Sequence, residues 1–137
     1  MRNLVGFVLV LVMTITMFAC GEPQPNIPPT PISYADEDLR SILNLMESNK
    51  IAAESQYEDK YIRLSGRISE IGENEIDLIP AASDMFQMSG AECKLADSEK
   101  AKVVNLRKDQ LVTVKGKVSG FSTFMINTVN LKKCLLE

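Results

Sequence analysis

The hydrophobic rhythm of the chain changes several times, and each rhythm predicts a different element. Leu4 to Met17 is an apolar run broken only by Gly6, Thr14 and Thr16, with Arg2 ahead of it. A stable membrane helix needs about 20 apolar residues and this run is shorter, so it reads as the core of a signal peptide. Glu22 to Pro31 holds five prolines and no apolar run, the composition of an extended, semi-rigid tether. Leu39, Ile42, Leu43 and Met46 then recur at helical spacing, so one face of a helix packs on something else. Ser33 is the candidate cap, with Asp36, Glu37 and Asp38 in a first turn that favours acidic side chains. This helix is expected to run to about Glu54.

From Tyr61 the period becomes two. Ile62, Leu64 and Ile68 fall on one face, and Arg63, Ser65, Arg67 and Ser69 on the other, which predicts a half-buried strand. Leu111 to Ser119 repeats the pattern, with Val112, Val114 and Val118 inward and Thr113, Lys115 and Lys117 outward. Gly66 and Gly116 sit centrally in these strands, where glycine commonly marks a bulge or tight bend. Between them, Glu75 to Ile79 is a short strand after a Gly72-Glu73-Asn74 turn, and Met85 to Leu95 a longer one. Asp97 to Leu106 reads as a short helix with Ala101, Val104 and Val103 inward. Thr123 to Leu136 is the last strand. Helix, three strands, short helix and two strands is the plan of the OB-fold, a five-stranded Greek-key barrel, here with an added N-terminal helix. The expected division is a signal peptide over 1–19, a tether over 20–33 and the barrel domain over 34–137.

Composition narrows the function. Without the signal segment there are 14 basic and 18 acidic side chains, a net charge of −4, which opposes broad capture of nucleic acid. The chain has no histidine, so the commonest acid-base group and metal ligand is missing. Its three cysteines, at 20, 93 and 134, form no C-x-x-C pair, and no glycine-rich phosphate loop is present. A non-catalytic protein without metal or cofactor is expected.

Met17-Phe18-Ala19-Cys20-Gly21 resembles the lipobox of bacterial lipoproteins. The resemblance implies cleavage before Cys20, acylation of its thiol, and membrane attachment through the lipid. Gly21 rather than Asp after the cysteine implies outer-membrane sorting, with the domain facing the periplasm.

A second resemblance lies in Asn49-Lys50-Ile51-Ala52-Ala53, Tyr57-Glu58-Asp59-Lys60, Leu64-Ser65-Gly66-Arg67-Ile68, Val112-Thr113-Val114-Lys115-Gly116 and Leu131 to Cys134. These segments resemble the tRNA-anti-like family over about residues 36 to 136. That implies an OB barrel with an added N-terminal helix, often found in lipoproteins, and it carries over no catalytic or binding residue. In such a barrel the third and fifth strands are neighbours, bringing Cys93 and Cys134 side by side. After export they can form a disulfide; two free buried thiols are the alternative.

Arg63, Arg67, Lys115 and Lys117 share the outward phase of two adjacent strands and are candidates for an anion-binding strip. The competing reading is a charged, solvated face. Phe86, Phe121 and Phe124, with Tyr61, are the candidate stacking platforms for bases. Glu73, Glu75 and Asp77 alternate on the short strand and read as a solvated edge, since no oxygen-rich metal loop accompanies them. The leading expectation is an envelope-anchored binding module for a protein, a peptide or an envelope glycan. Binding of single-stranded nucleic acid or another polyanion is one alternative. A structural accessory subunit of an envelope complex is the other.

Overall fold

The first helix starts where Asp38 supplies its cap: the carboxylate accepts from the Ser41 amide at 2.9 Å and from the Ser41 hydroxyl at 2.8 Å. Asp38, not Ser33, is therefore the N-cap of α1 (Leu39–Ser48), and Asp36 lies ahead of it in a two-residue strand, β1 (Ala35–Asp36). The computed structural model describes residues 28–83 and 88–137. The expected signal segment, Cys20 and Phe86 lie outside the described residues. One compact unit spans Pro31–Glu137.

The single helix expected to reach Glu54 is two helices. Asn49, at φ −159°, ends α1 and caps α2 (Lys50–Tyr57), its side chain accepting from the Ala52 amide at 3.0 Å. Leu39, Ile42, Leu43 and Met46 are buried as the spacing predicts, and α1 packs on strands β2, β4 and β6 of the barrel that follows.

The barrel strands are β2 (Tyr61–Ile71), β3 (Glu75–Ile79), β4 (Gly90–Leu95), β5 (Leu111–Ser122) and β6 (Thr128–Leu136). Their order is β2-β3-β4-β6-β5, and β5 pairs back on β2 to close the barrel. β4 and β6 are parallel and the other barrel pairs antiparallel. This is the OB-fold arrangement. Closure leaves no long sheet edge to template another chain. Alternation puts Ile62, Leu64 and Ile68 of β2 inside with Val114 and Val118 of β5, all at most 2% exposed.

Three boundaries differ from the sequence pattern. β4 begins at Gly90 rather than Met85, and β6 at Thr128 rather than Thr123, while β5 continues to Ser122. The short helix is a 3-10 helix over Asp97–Asn105. Val103 and Leu106 pack against its core side, whereas Ala101 and Val104 are exposed. A period of three replaces 3.6 there, so residues 103 and 106 share a face. Glu99, only 7% exposed, fastens this helix: its carboxylate accepts from the Leu136 amide at 3.2 Å and pairs with Lys102 at 2.8 Å. The Lys102 contact first, and the Leu136 amide with it, holds the Glu99 carboxyl below its usual range.

Cys93 and Cys134 are disulfide-bonded. In register Cys93 faces Leu131, and the β4–β6 ladder slips before Leu95 meets Cys134. A bulge does this: Lys132 and Lys133 are both exposed, Lys133 stands at φ 53°, and Cys134 turns back into the core. Gly116 opposite makes the room, since a Cβ there would lie 2.9 Å from the Cys134 Sγ. One of the two slips in the β5–β6 ladder falls at Gly116. Gly66, by contrast, pairs with Val112 without a bulge.

Candidate binding face

The outer face of β3 and β4 carries a groove. Gly90 is what lets the two strands approach at its start, because a Cβ there would sit 1.9 Å from the Leu78 carbonyl oxygen. One part is a cavity of about 360 Å³, walled by Ile79, Met88 and Ile126 and rimmed by Glu70, Asp77 and Glu92. A second hollow of about 350 Å³ shares Glu92 and Thr128 with it and runs on past Lys94, Asn130 and Ser119. The groove thus crosses β3, β4, β6 and β5.

Its charge is negative. Glu92 is opposite Asp77 in the β3–β4 register, and Asp77 is opposite Glu70 in the β2–β3 register. Burial pushes the Asp77 carboxyl up to about 6, and the charges of Glu92, Glu70 and Glu75 add to the rise. β3 is flanked by β2 and β4, so the solvated edge expected for Glu75 and Asp77 is a paired strand instead. Lys94 approaches Glu92 at 3.8 Å.

The basic residues lie elsewhere. Arg63 faces Lys115 and Tyr61 faces Lys117 across β2 and β5. Each cation is engaged by a carboxylate. Arg63 pairs with Asp36 at 3.0 Å and with Glu137, Lys115 with Glu137 at 2.8 Å, and Lys117 with Asp59 at 3.4 Å. Lys115 and Arg63 hold the Glu137 carboxyl below its usual range. The ammonium groups of Lys115 and Lys117 also stand 5.8 and 5.7 Å from the ring centroids of Tyr34 and Tyr61, which meet edge-on at 5.7 Å. Arg67 is separate: it donates to the Ser83 carbonyl at 3.0 Å and to the Ser83 hydroxyl at 3.2 Å, bracing the segment after β3. The structure therefore gathers three of the four expected cations into one strip, and places their own carboxylates among them.

Of the candidate stacking residues, Phe121 is half-buried against the core and faces Val129 in the β5–β6 ladder. Phe124 is 83% exposed in the following turn.

The sequence model of the tRNA-anti-like family matches residues 1–135. The chain belongs to this family. No curated protein matches it. Among solved structures it is similar to a lipoprotein from Klebsiella pneumoniae, provisionally described as nucleic acid-binding, with a TM-score of 0.61 and 16% identity over 76% of this chain and 92% of that one. At that identity the likeness is one of fold.

Sequence reasoning missed three features of this tRNA-anti-like barrel. Tyr34 beside the basic strip had no signal, because it precedes every periodic segment. Glu70 and Glu92 reach Asp77 only through strand register, although the alternation of Glu75 and Asp77 was visible. Met88 and Ile126 join the groove from two turns whose strands begin later than their hydrophobicity indicates.

Proposed function

We propose that this domain is a non-catalytic binding module, held in the cell envelope by lipid on Cys20, whose groove receives an uncharged or cationic ligand: a protein segment, a peptide or an envelope glycan. The observation that carries this reading is the groove's lining. OB barrels bind chains across the face of these two central strands, and here that face combines Glu70, Asp77 and Glu92 with the apolar side chains of Ile79, Met88 and Ile126. Apolar walls with a few convergent polar groups suit a peptide side chain or a sugar ring. Three carboxylates oppose a phosphate backbone. The lipobox supports anchoring, and Gly21 supports outer-membrane sorting with the domain in the periplasm. Among the described residues no helix is long and apolar enough to cross a membrane.

The basic strip favours the alternative, single-stranded nucleic acid or another polyanion. A polyanion there would have to displace Glu137 and Asp59 from their partners. A purely structural accessory role leaves the groove empty. Amide-shift mapping separates the three, using a lysine-containing peptide, a peptidoglycan disaccharide and an oligothymidylate as probes. The expected result is perturbation of Leu78, Ala91, Glu92 and Thr128 by the peptide or the disaccharide. Perturbation of Lys115 and Lys117 by the oligothymidylate alone would overturn the proposal, and no perturbation by any probe would favour the structural role.

A further inference from the structure

We propose that the β5–β6 turn is a membrane-docking tip, inserting Phe124 and Met125 into the lipid surface to which the chain is anchored. The inference rests on the lipid anchor at Cys20 and adds an orientation of the domain on the membrane.

The turn runs Thr123-Phe124-Met125-Ile126-Asn127 and carries no charged side chain. Phe124 is 83% and Met125 89% exposed. Met125 stands at φ 64°, the left-handed region that an unbranched L side chain enters only when its surroundings hold it there. The Ile126 amide donating to the Phe124 carbonyl at 2.8 Å tightens the turn beneath it. Met88, 72% exposed, lies in the adjoining segment, which the Gly90 amide fastens to the Asn127 carbonyl at 3.1 Å. Met88 and Ile126 line one end of the groove. Three large apolar side chains thus project from neighbouring turns. Exposed apolar clusters of this kind mark contacts with a partner or a membrane.

Strand register decides for the membrane. β1 runs parallel to β2 with Ala35 opposite Ile62, so Tyr34 is level with Tyr61 at the N-terminal end of β2 and the chain from Pro31 enters from that end. β2 is antiparallel to β5 with Tyr61 opposite Lys117, so the later part of β5 and its turn leave the barrel at that same end. β4 starts there too, with Gly90 opposite Thr128. The apolar tip and the segment that leads from the lipid therefore share one end of the barrel. Cys20 precedes Tyr34 by 14 residues, a reach of at most roughly 40 Å even for a fully extended proline-rich sequence. The tether cannot carry this end far from the lipid, and a second, weak contact to the same surface forms at high effective concentration. Phenylalanine and methionine without adjacent charge suit the headgroup boundary. The groove would then open beside the membrane and meet ligands presented there.

The chain has no tryptophan, so Phe124→Trp gives a single optical reporter in the full acylated protein. Leu111→Trp is the control: Leu111 is 63% exposed at the opposite end of β5. Both variants are placed in phosphatidylethanolamine and phosphatidylglycerol vesicles with acyl chains brominated near the headgroup, after intact mass has established the lipid on Cys20. The expected result is that the Phe124→Trp reporter is quenched by the brominated chains and shielded from aqueous iodide, while the Leu111→Trp reporter behaves oppositely. Equal iodide access at both positions on an acylated protein would overturn the docking and leave the anchor standing. Shielding from iodide without bromine quenching would assign the tip to a protein contact and also overturn it. A mature protein lacking acyl chains would overturn both the anchor and the docking.

Discussion

Asp77 sits on a paired strand among Glu70, Glu75 and Glu92, and its carboxyl titrates near 6 rather than at its ordinary 3.8. A raised acid pKa sets the sign of its effect. Between pH 4 and 6 the unfolded chain ionises Asp77 first, so folding stability falls as pH rises through this window and stays reduced above it. The full displacement corresponds to roughly 3 kcal/mol, and water in the open groove screens that to about 1. Asp77→Asn removes the penalty. Its melting temperature is expected to exceed that of the parent by several degrees at pH 7.5 and to match it near pH 4; a gap that is constant with pH, or larger at pH 4, would contradict the burial of this charge. The alternation of Glu75 and Asp77 was legible from the sequence. The pressure on Asp77 was not, because Glu70 and Glu92 converge on it only through the pairing of three strands.

Elements were legible wherever one rhythm held for several residues. The α1 stripe and the alternation of β2 and β5 follow the pattern of the sequence, and the breaks do not. Asn49 divides the helix without disturbing the apolar phase, since Met46, Ala53 and Tyr57 continue one stripe across it. The bulge at Lys132 and Lys133 breaks the period of two in β6, and it is what lets Cys134 reach Cys93. That bond ties β4 to β6 across a sequence separation of 41, worth about 4 kcal/mol by loop closure in the unfolded chain. Cys134→Ser is expected to lower the melting temperature of the oxidised protein by at least about 10 °C. Melting at the parental temperature, or recovery of both native cysteines as free thiols by peptide mapping, would remove the disulfide from the account.

At the scale of the molecule, strand order and closure followed from the succession of elements, because five strands with a helix after the third have few closed arrangements. The electrostatic layout did not follow. Arg63, Lys115 and Lys117 share a face as their phase requires, but Asp36, Asp59 and Glu137 come to them from distant positions in the chain. The groove draws its carboxylates from three strands. A chain of net charge −3 therefore presents carboxylates in its groove and paired cations on the strip, and it repels a polyanion at long range. Fluorescence anisotropy of labelled single-stranded DNA and RNA with the full-length protein, across a salt series, tests this most directly. The expected result is binding no tighter than the non-specific range of about 10⁻⁴ to 10⁻⁶ M at physiological salt. Sub-micromolar affinity that weakens steeply with salt and is lost in Lys117→Glu would contradict it.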